Sequence, residues 1–241
     1  LAAHCLRMFV GVSEELTEYL RVKVGIAKNK LLTIINGVDT ARFVPRAGMA
    51  RDALREQHGL SPTDRVLGTV CRFDPIKNLP FMISCMPQIV QQVPTAKLVI
   101  VGEGPIRDEL DTLIAKLGMA RHVMVWPRRN DIESVMPQFD VYVCTSLSEG
   151  TSMTILEAMA CGLPVVASAV GGNCSIVDSG SGILFPLNDV EAYVSNAVAL
   201  LLDSSRATAM GAQSRKRAET VYPLSRTIDQ YQALYAHYAG T

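Results

Sequence analysis

The chain has 241 residues, of which 49% are hydrophobic, and its 23 basic residues balance 23 acidic ones. That hydrophobic content is ample for a sizeable core, while a formal net charge of zero argues against electrostatic binding to nucleic acid or another polyanion. No apolar run approaches the ~18 residues that span a bilayer, so we expect a cytoplasmic protein.

The cysteines and histidines show no metal-binding or redox spacing. We interpret the cysteines, most of which lie in apolar strand or helix patterns, as buried thiols of a reducing compartment. We predict no zinc or other metal site from the histidines. These residues are Cys5, Cys71, Cys85, Cys144, Cys161, Cys174, His4, His58, His122 and His237.

The start of the chain predicts two short strands and one helix. The strands cover 8–12 and 31–35, and the helix covers 13–24 with Ser13 as its N-cap. A polar, proline-containing segment over 42–48 indicates a junction between domains, and a helix follows to residue 58.

From residue 65 onward, short strands alternate with helices. This pattern predicts an α/β fold with a Rossmann-like, doubly wound parallel sheet, in which ligands lie outside the carboxyl ends of the strands. The end of the chain is helical over 190–202, 205–221 and 224–238. The predicted strands of the sheet cover 66–71, 97–101, 122–126, 141–144 and 164–168, and the helices between them cover 78–92, 106–117, 132–136 and 152–160.

Three strand-to-helix loops carry candidate ligand contacts. Arg72 and Lys77 can converge on one diphosphate, or they can be two solvated cations. Gly102 and Gly104 either let the backbone approach a ligand or only make a turn. The loop with Arg128 and Arg129 either borders a base or is a polar loop whose Asp131 caps the next helix. Arg107 stands where a dinucleotide fingerprint needs its third glycine, which excludes a Rossmann dehydrogenase.

The fourth loop, over 149–164, is the most informative. Glu149 and Glu157 lie eight positions apart, one in a strand-to-helix turn and one inside the helix. The turn aims backbone N–H groups and the positive helix end at one place, which suits an anion. Glu149 has the simpler interpretation of a helix cap, and Glu157 needs a partner in an otherwise apolar helix. An anion beside two acceptors for hydroxyl groups is what a nucleotide-diphosphate sugar presents.

These loops resemble the motifs of retaining glycosyltransferases of family 4, which have the GT-B fold. Glu149 and Glu157 match the E-x7-E signature of that family, and Arg72 and Lys77 match its R-x4-K loop. The other similar segments are N-G-V-D-x-x-R-F over 36–43, V-G-G over 170–172 and G-x-L over 182–184.

The resemblance implies transfer of a sugar, with retention, from a UDP-, GDP- or ADP-sugar to a sugar, polysaccharide or lipid-linked acceptor. Arg72, Lys77 and Glu149 would be the catalytic group: the two cations would bind the diphosphate and Glu149 would contact the sugar. Glu157 would bind the ribose. No cofactor or metal is expected. The remaining donor-binding residues would be Gly150, Thr151, Ser152, Met153, Gly102, Gly104, Arg128 and Arg129.

The chain departs from the family in two ways. Ser152 replaces a glycine that many members have. Moreover, residues 1–40 resemble only the end of an N-terminal domain with its linker, residues 41–221 a donor-binding domain, and residues 222–241 a helix that crosses back to the missing domain. We therefore expect an inactive donor-binding fragment, whose missing domain would be the usual source of peripheral contact with the inner face of a membrane. Two alternatives are a non-catalytic nucleotide-sugar-binding subunit and a GT-B nucleotide-sugar epimerase.

Overall fold

The computed structural model describes residues 6–45 and 49–239, without the side chains of residues 49, 50 and 54. His4, Cys5 and the last part of the predicted junction, 46–48, lie outside the described residues. Within them, a small N-terminal unit consists of strands β1 (Phe9–Gly11) and β2 (Leu31–Thr33) around helix α1 (Glu14–Val22). The two strands pair in parallel, and they lie within the two strands predicted over 8–12 and 31–35.

The main unit contains a six-stranded parallel sheet with the strand order β5-β4-β3-β6-β7-β8. Five of these strands were predicted from the sequence, and their observed ends lie within about one residue of the predicted ends. The sixth, β8, was not predicted as a strand, because its four residues offer no alternating pattern and lie at the edge of the sheet. The strands are β3 (Arg65–Val70), β4 (Ala96–Val101), β5 (Val123–Trp126), β6 (Val141–Cys144), β7 (Val165–Ser168) and β8 (Gly182–Phe185).

Helices cover both faces of this sheet. Along β4, Leu98 and Ile100 pack into one apolar cluster and Val99 and Val101 into the other, as expected when successive side chains point to opposite faces. This arrangement confirms the doubly wound α/β prediction. The helices of this unit are α2 (Met49–Gln57), α3 (Leu79–Gln92), α4 (Arg107–Lys116), α5 (Ile132–Val135), α6 (Met153–Ala160), α7 (Asn173–Ile176), α8 (Val190–Leu202) and α9 (Ser204–Val221).

The last helix, α10 (Leu224–Ala239), returns to the segment that joins the two units. Val38 donates its N–H to the carbonyl of Tyr222 at 2.8 Å and accepts the N–H of Leu224 at 3.1 Å. The Thr227 hydroxyl, one turn into the helix, donates to the carbonyl of Ile35 at 3.0 Å. The C-terminal helix therefore fixes the end of the N-terminal unit. The division of the chain into 1–40, 41–221 and 222–241 stays a prediction.

Burial of the thiols was predicted correctly for most of the described cysteines. Cys85, Cys144 and Cys161 are buried and Cys71 is half-buried, whereas Cys174 in the short helix α7 is exposed. The prediction of a buried thiol was wrong for Cys174, because the four-residue helix α7 buries only Asn173 and Ile176. In the described part of the chain, helices that are both long and apolar enough to cross a membrane are absent.

Candidate functional site

A cleft of about 510 Å³ lies at the carboxyl ends of β3, β4 and β5. The structure brings together here five residues that the sequence singled out from separate loops. They are Arg72, Gly102, Gly104, Arg128 and Arg129. The rest of the lining was not predicted, because most of it comes from apolar strand ends and helix starts, which carry no chemical signal of their own. These further residues are Val70, Cys71, Val101, Glu103, Ile132 and Thr154.

The two glycines hold neighbouring loops together. Gly102 and Gly104 have φ of +152° and +156°. A Cβ atom at Gly102 would overlap the carbonyl oxygen of Cys71, and one at Gly104 that of Phe73. Their observed role is thus a close backbone approach between the loops after β3 and β4. Helix α4 then begins at Arg107, after the turn at Pro105 and Ile106.

The cations Arg72 and Lys77 do not meet in this structure. The Arg72 side chain is 71% exposed and pairs with Asp74 at 2.9 Å. Asp74 also accepts the N–H of Ile76 at 3.1 Å, which caps the single 3-10 turn that ends at Lys77. That turn sends Lys77 away from Arg72 and toward Glu149.

The arginines of the loop after β5 each have an acidic partner. Arg128 pairs with Glu103 across the cleft rim at 3.1 Å. Arg129 binds Asp131 through two hydrogen bonds of 2.8 and 2.7 Å, and this pairing lowers the pKa of Asp131. Asp131 occupies the N-cap position of α5, as one of the two interpretations expected, but both of its carboxylate oxygens bind Arg129 and its side chain makes no cap hydrogen bond.

Glu149 pairs with Lys77 and does not cap the helix. Its Oε1 atom lies 2.6 Å from Lys77 Nζ and 2.6 Å from the hydroxyl of Ser146, and its side chain is only 10% exposed. The N-cap of α6 is Ser152, which makes no side-chain cap hydrogen bond. The capping interpretation of Glu149 was therefore wrong. The first-turn N–H groups of α6 have no cap from a side chain and stay available to an anion.

The loop that follows Glu149 is held from two sides. The N–H of Gly172 donates to the carbonyl of Glu149 at 3.0 Å, and a Cβ atom at Gly172 would overlap the carbonyl oxygen of Gly150. On the other side, the Thr151 hydroxyl donates to the carbonyl of Val12 in the N-terminal unit. Backbone at residues 149–151 is thus fixed before any ligand arrives.

Glu157 is half-buried in α6, and its carboxylate makes no hydrogen bond or ion pair with the residues that the structure describes. Burial raises its pKa to about 7, and nearby Arg42 and Glu133, paired with each other at 2.9 Å, act on it in opposite directions. The partner expected from the sequence is absent among the described side chains. Glu157 does not line the cleft itself, whereas Thr154, three residues earlier on the same helix, does.

Residues 50–217 match the family of glycosyl transferases group 1. The chain belongs to this family. It is 30% identical over 203 residues to the putative glycosyltransferase EpsD of Bacillus subtilis, covering 84% of this chain and 53% of the relative. It is 27% identical over 238 residues to a UDP-Gal:alpha-D-GlcNAc-diphosphoundecaprenol alpha-1,3-galactosyltransferase of Escherichia coli, covering 97% of this chain and 61% of the relative. The group 1 chain thus spans between about half and two thirds of the length of these relatives.

Solved structures show the same fold. Anabaena HepE, solved with UDP and glucose, matches with a TM-score of 0.88 and 22% identity, over 95% of this chain and 63% of that one. The sucrose-phosphate synthase of Thermosynechococcus elongatus matches with a TM-score of 0.85 and 24% identity, over all of this chain and 61% of that one. The predicted glycosyltransferase resemblance and the GT-B, Rossmann-like fold class are confirmed. Within the described residues of this group 1 chain, clusters of three His, Cys, Asp or Glu suited to a metal ion are absent.

Proposed function

We propose that this chain forms the donor site of a retaining glycosyltransferase, which moves a sugar from a nucleotide diphosphate to an acceptor hydroxyl. The observation that carries the proposal is the Lys77–Glu149 ion pair beside the cleft. Cys71 connects the two places, because it lines the cleft and because the charges of Lys77 and Glu149 act in opposite directions on the pKa of its thiol. A cation, a carboxylate and a free helix N-terminus at one sheet edge suit a diphosphate joined to a polyol.

In this proposal, Arg72 and Lys77 supply the counter-charge of the leaving diphosphate in place of a metal ion. Catalysis then depends on positioning and on stabilising the negative charge that develops on the leaving group. Glu149 contacts the sugar, and the backbone N–H groups at the start of α6, over residues 150–153, contact phosphate and sugar hydroxyls. Glu157 accepts the ribose hydroxyls, and the loop with Arg128 and Arg129 borders the base.

Only the names of relatives bear on the base of the sugar donor and on the identity of the acceptor. One relative is named as a UDP-Gal-dependent enzyme acting on a lipid diphosphate, and one from Mycolicibacterium smegmatis, 35% identical over 191 residues, as a GDP-mannose-dependent phosphatidylinositol mannoside mannosyltransferase. We propose a UDP-, GDP- or ADP-sugar donor and a sugar, polysaccharide or lipid-linked acceptor.

We further propose that a domain outside this chain binds the acceptor and that this fragment alone is inactive. We also propose that the protein works in the cytoplasm or at the inner face of the membrane.

Calorimetric titration with UDP, GDP and ADP, with and without EDTA, tests the donor site. We expect one of the three nucleotides to bind without a metal. Arg72→Ala and Lys77→Ala should each weaken that binding by about tenfold or more, since each removes a hydrogen bond to a charged group. Arg107→Ala and Lys116→Ala on helix α4 are matched controls and should leave the affinity unchanged. Binding that needs a divalent metal, or no binding of any of the three, would contradict the proposal.

A further inference from the structure

All hydrogen bonds that the described residues donate to the Glu149 carboxylate end on one oxygen, Oε1. Lys77 Nζ and Ser146 Oγ each lie 2.6 Å from this atom, and Cys144 Sγ lies 3.9 Å from it. A carboxylate oxygen has two lone pairs, so two strong donors already satisfy Oε1. The other oxygen, Oε2, is left for a ligand.

Ser146 is a fixed donor. It is 1% exposed at the end of β6, and its carbonyl accepts the hydroxyl of Ser168, itself fully buried at the end of β7, at 2.7 Å. Its own hydroxyl also lies 3.5 Å from Cys144 Sγ. Burial raises the pKa of the Cys144 thiol, which keeps that group protonated and only a weak hydrogen-bond partner. The Ser146 hydroxyl therefore donates its hydrogen bond to the Glu149 carboxylate, which is the strongest acceptor that it contacts.

Lys77 is a poorer anchor for Glu149 once a nucleotide binds. Its side chain is 25% exposed, and its ammonium group is the proposed partner of the donor diphosphate. A flexible ammonium that turns toward two phosphates shares its three protons among several acceptors. Ser146, which cannot reach solvent, keeps its contact in both states.

We propose that Ser146 is a positioning residue for sugar recognition: its hydroxyl holds Oε1 of Glu149, so that Oε2 accepts a hydroxyl of the transferred sugar. The inference rests on the proposed function, because it takes Glu149 as the sugar contact. It assigns the sugar selectivity of the site to a buried serine that touches no ligand. Its effect must therefore appear only for ligands that carry a sugar, and only while Glu149 is present.

The test measures the dissociation constants of UDP and UDP-glucose, GDP and GDP-mannose, and ADP and ADP-glucose by calorimetry. For the pair that binds, Ser146→Ala should leave the free nucleotide within about twofold and weaken the sugar nucleotide by about tenfold, the scale of one hydrogen bond to a charged group. Ser195→Ala is the matched control, because Ser195 is an exposed serine on α8 that bonds only the carbonyl of Ala192. A folding defect would instead weaken both ligands together, and that result would overturn the inference.

A double-mutant cycle separates a role through Glu149 from a direct one. Glu149→Ala should raise the ratio of the sugar-nucleotide to the nucleotide dissociation constant, and Ser146→Ala added to it should raise the ratio no further. An additive second loss would overturn the positioning role. If Glu149→Ala changes the ratio and Ser146→Ala does not, the inference fails while the proposed function stands. If none of the six ligands binds the unaltered chain, both fail.

Discussion

Glu157 is a half-buried carboxylic acid without a hydrogen-bond partner among the described residues, and burial raises its pKa from 4.5 to about 7. Such a group is costly to keep in the folded chain when it is ionised. Perturbed acids of this kind cluster at functional sites, because a ligand supplies the missing partner. The cost is measurable in the absence of any ligand.

The pH dependence of stability tests this cost. Between pH 4.5 and 7 the folded chain keeps a proton on Glu157 that the unfolded chain has released, so the contribution of Glu157 to stability falls as the pH rises through this window. Glu157→Gln should therefore raise the free energy of unfolding by about 2 kcal/mol at pH 8 and by almost nothing at pH 4.5. Urea unfolding at both pH values measures the difference.

Glu109→Gln is the matched control for this experiment, because Glu109 is an exposed acid in the first turn of α4. It should change the free energy of unfolding little at either pH. The explanation fails if Glu157→Gln gives the same difference from the unaltered chain at pH 4.5 and at pH 8.

Gly172 is a steric requirement of the loop that carries Glu149. An added Cβ would overlap the Gly150 carbonyl oxygen, which belongs to backbone that other contacts already hold. Gly172→Ala should lower the free energy of unfolding by about 2 kcal/mol or more and weaken nucleotide binding. Gly180→Ala is the control, since its Cβ would meet Asp178 Oδ1 at 3.5 Å, an ordinary contact. Equal urea midpoints for the two variants would contradict this account.

At the scale of the elements, two ion pairs connect helix α2 to the sheet. Arg55, which is 2% exposed, and Arg51 both bind the carboxylate of Asp140 just before β6, at 2.9 and 2.6 Å. Asp140 also accepts the N–H of Val66 at 2.7 Å, at the start of β3. One carboxylate therefore joins a helix and two strands at the amino end of the sheet, opposite the cleft.

Asp140→Ala should lower the free energy of unfolding by about 3–5 kcal/mol, because it leaves the buried Arg55 charge without its partner. Burial favours the neutral acid, but Arg51 and Arg55 outweigh it and hold the pKa of Asp140 below its usual value. The stabilisation is therefore present at neutral pH and is lost as the pH falls below about 4. Urea unfolding at pH 7 measures the loss. Asp111→Ala, which removes an exposed pair with Arg107, should cost less than about 1 kcal/mol.

The strands and helices could be predicted from the sequence more fully than the contacts between side chains. Strands such as β3 and β4 were predictable because buried parallel strands are continuous apolar runs, and their shared edge brought the candidate loops together. The choice of partners was not predictable, because several acids and cations compete locally. Asp131 could cap a helix or bind Arg129, and only the loop geometry decides for Arg129. Ser146 carried no signal beyond being a polar residue after an apolar strand.

At the scale of the whole molecule, hydrogen bonds among the described residues join the N-terminal unit to the rest of the chain near the C-terminal helix and at the candidate site. Near the C-terminal helix, Val38 bonds the backbone at Tyr222 and Leu224. At the candidate site, the Thr151 hydroxyl reaches the carbonyl of Val12, just after β1. The second contact joins the loop of Glu149 directly to the N-terminal unit.

Removing the Thr151 hydroxyl should loosen the N-terminal unit while leaving the sheet intact. In Thr151→Val the lost hydrogen bond is worth about 1 kcal/mol, so amide hydrogen exchange in β1 and α1 should rise about fivefold, while exchange in β3 and β4 stays the same. Thr151→Ser keeps the hydroxyl and should exchange like the unaltered chain. Thr112→Val is a second control, since Thr112 bonds only the Asp108 carbonyl on the exposed side of α4. Equal exchange in the Val and Ser variants would mean that the N-terminal unit is held through the C-terminal helix alone.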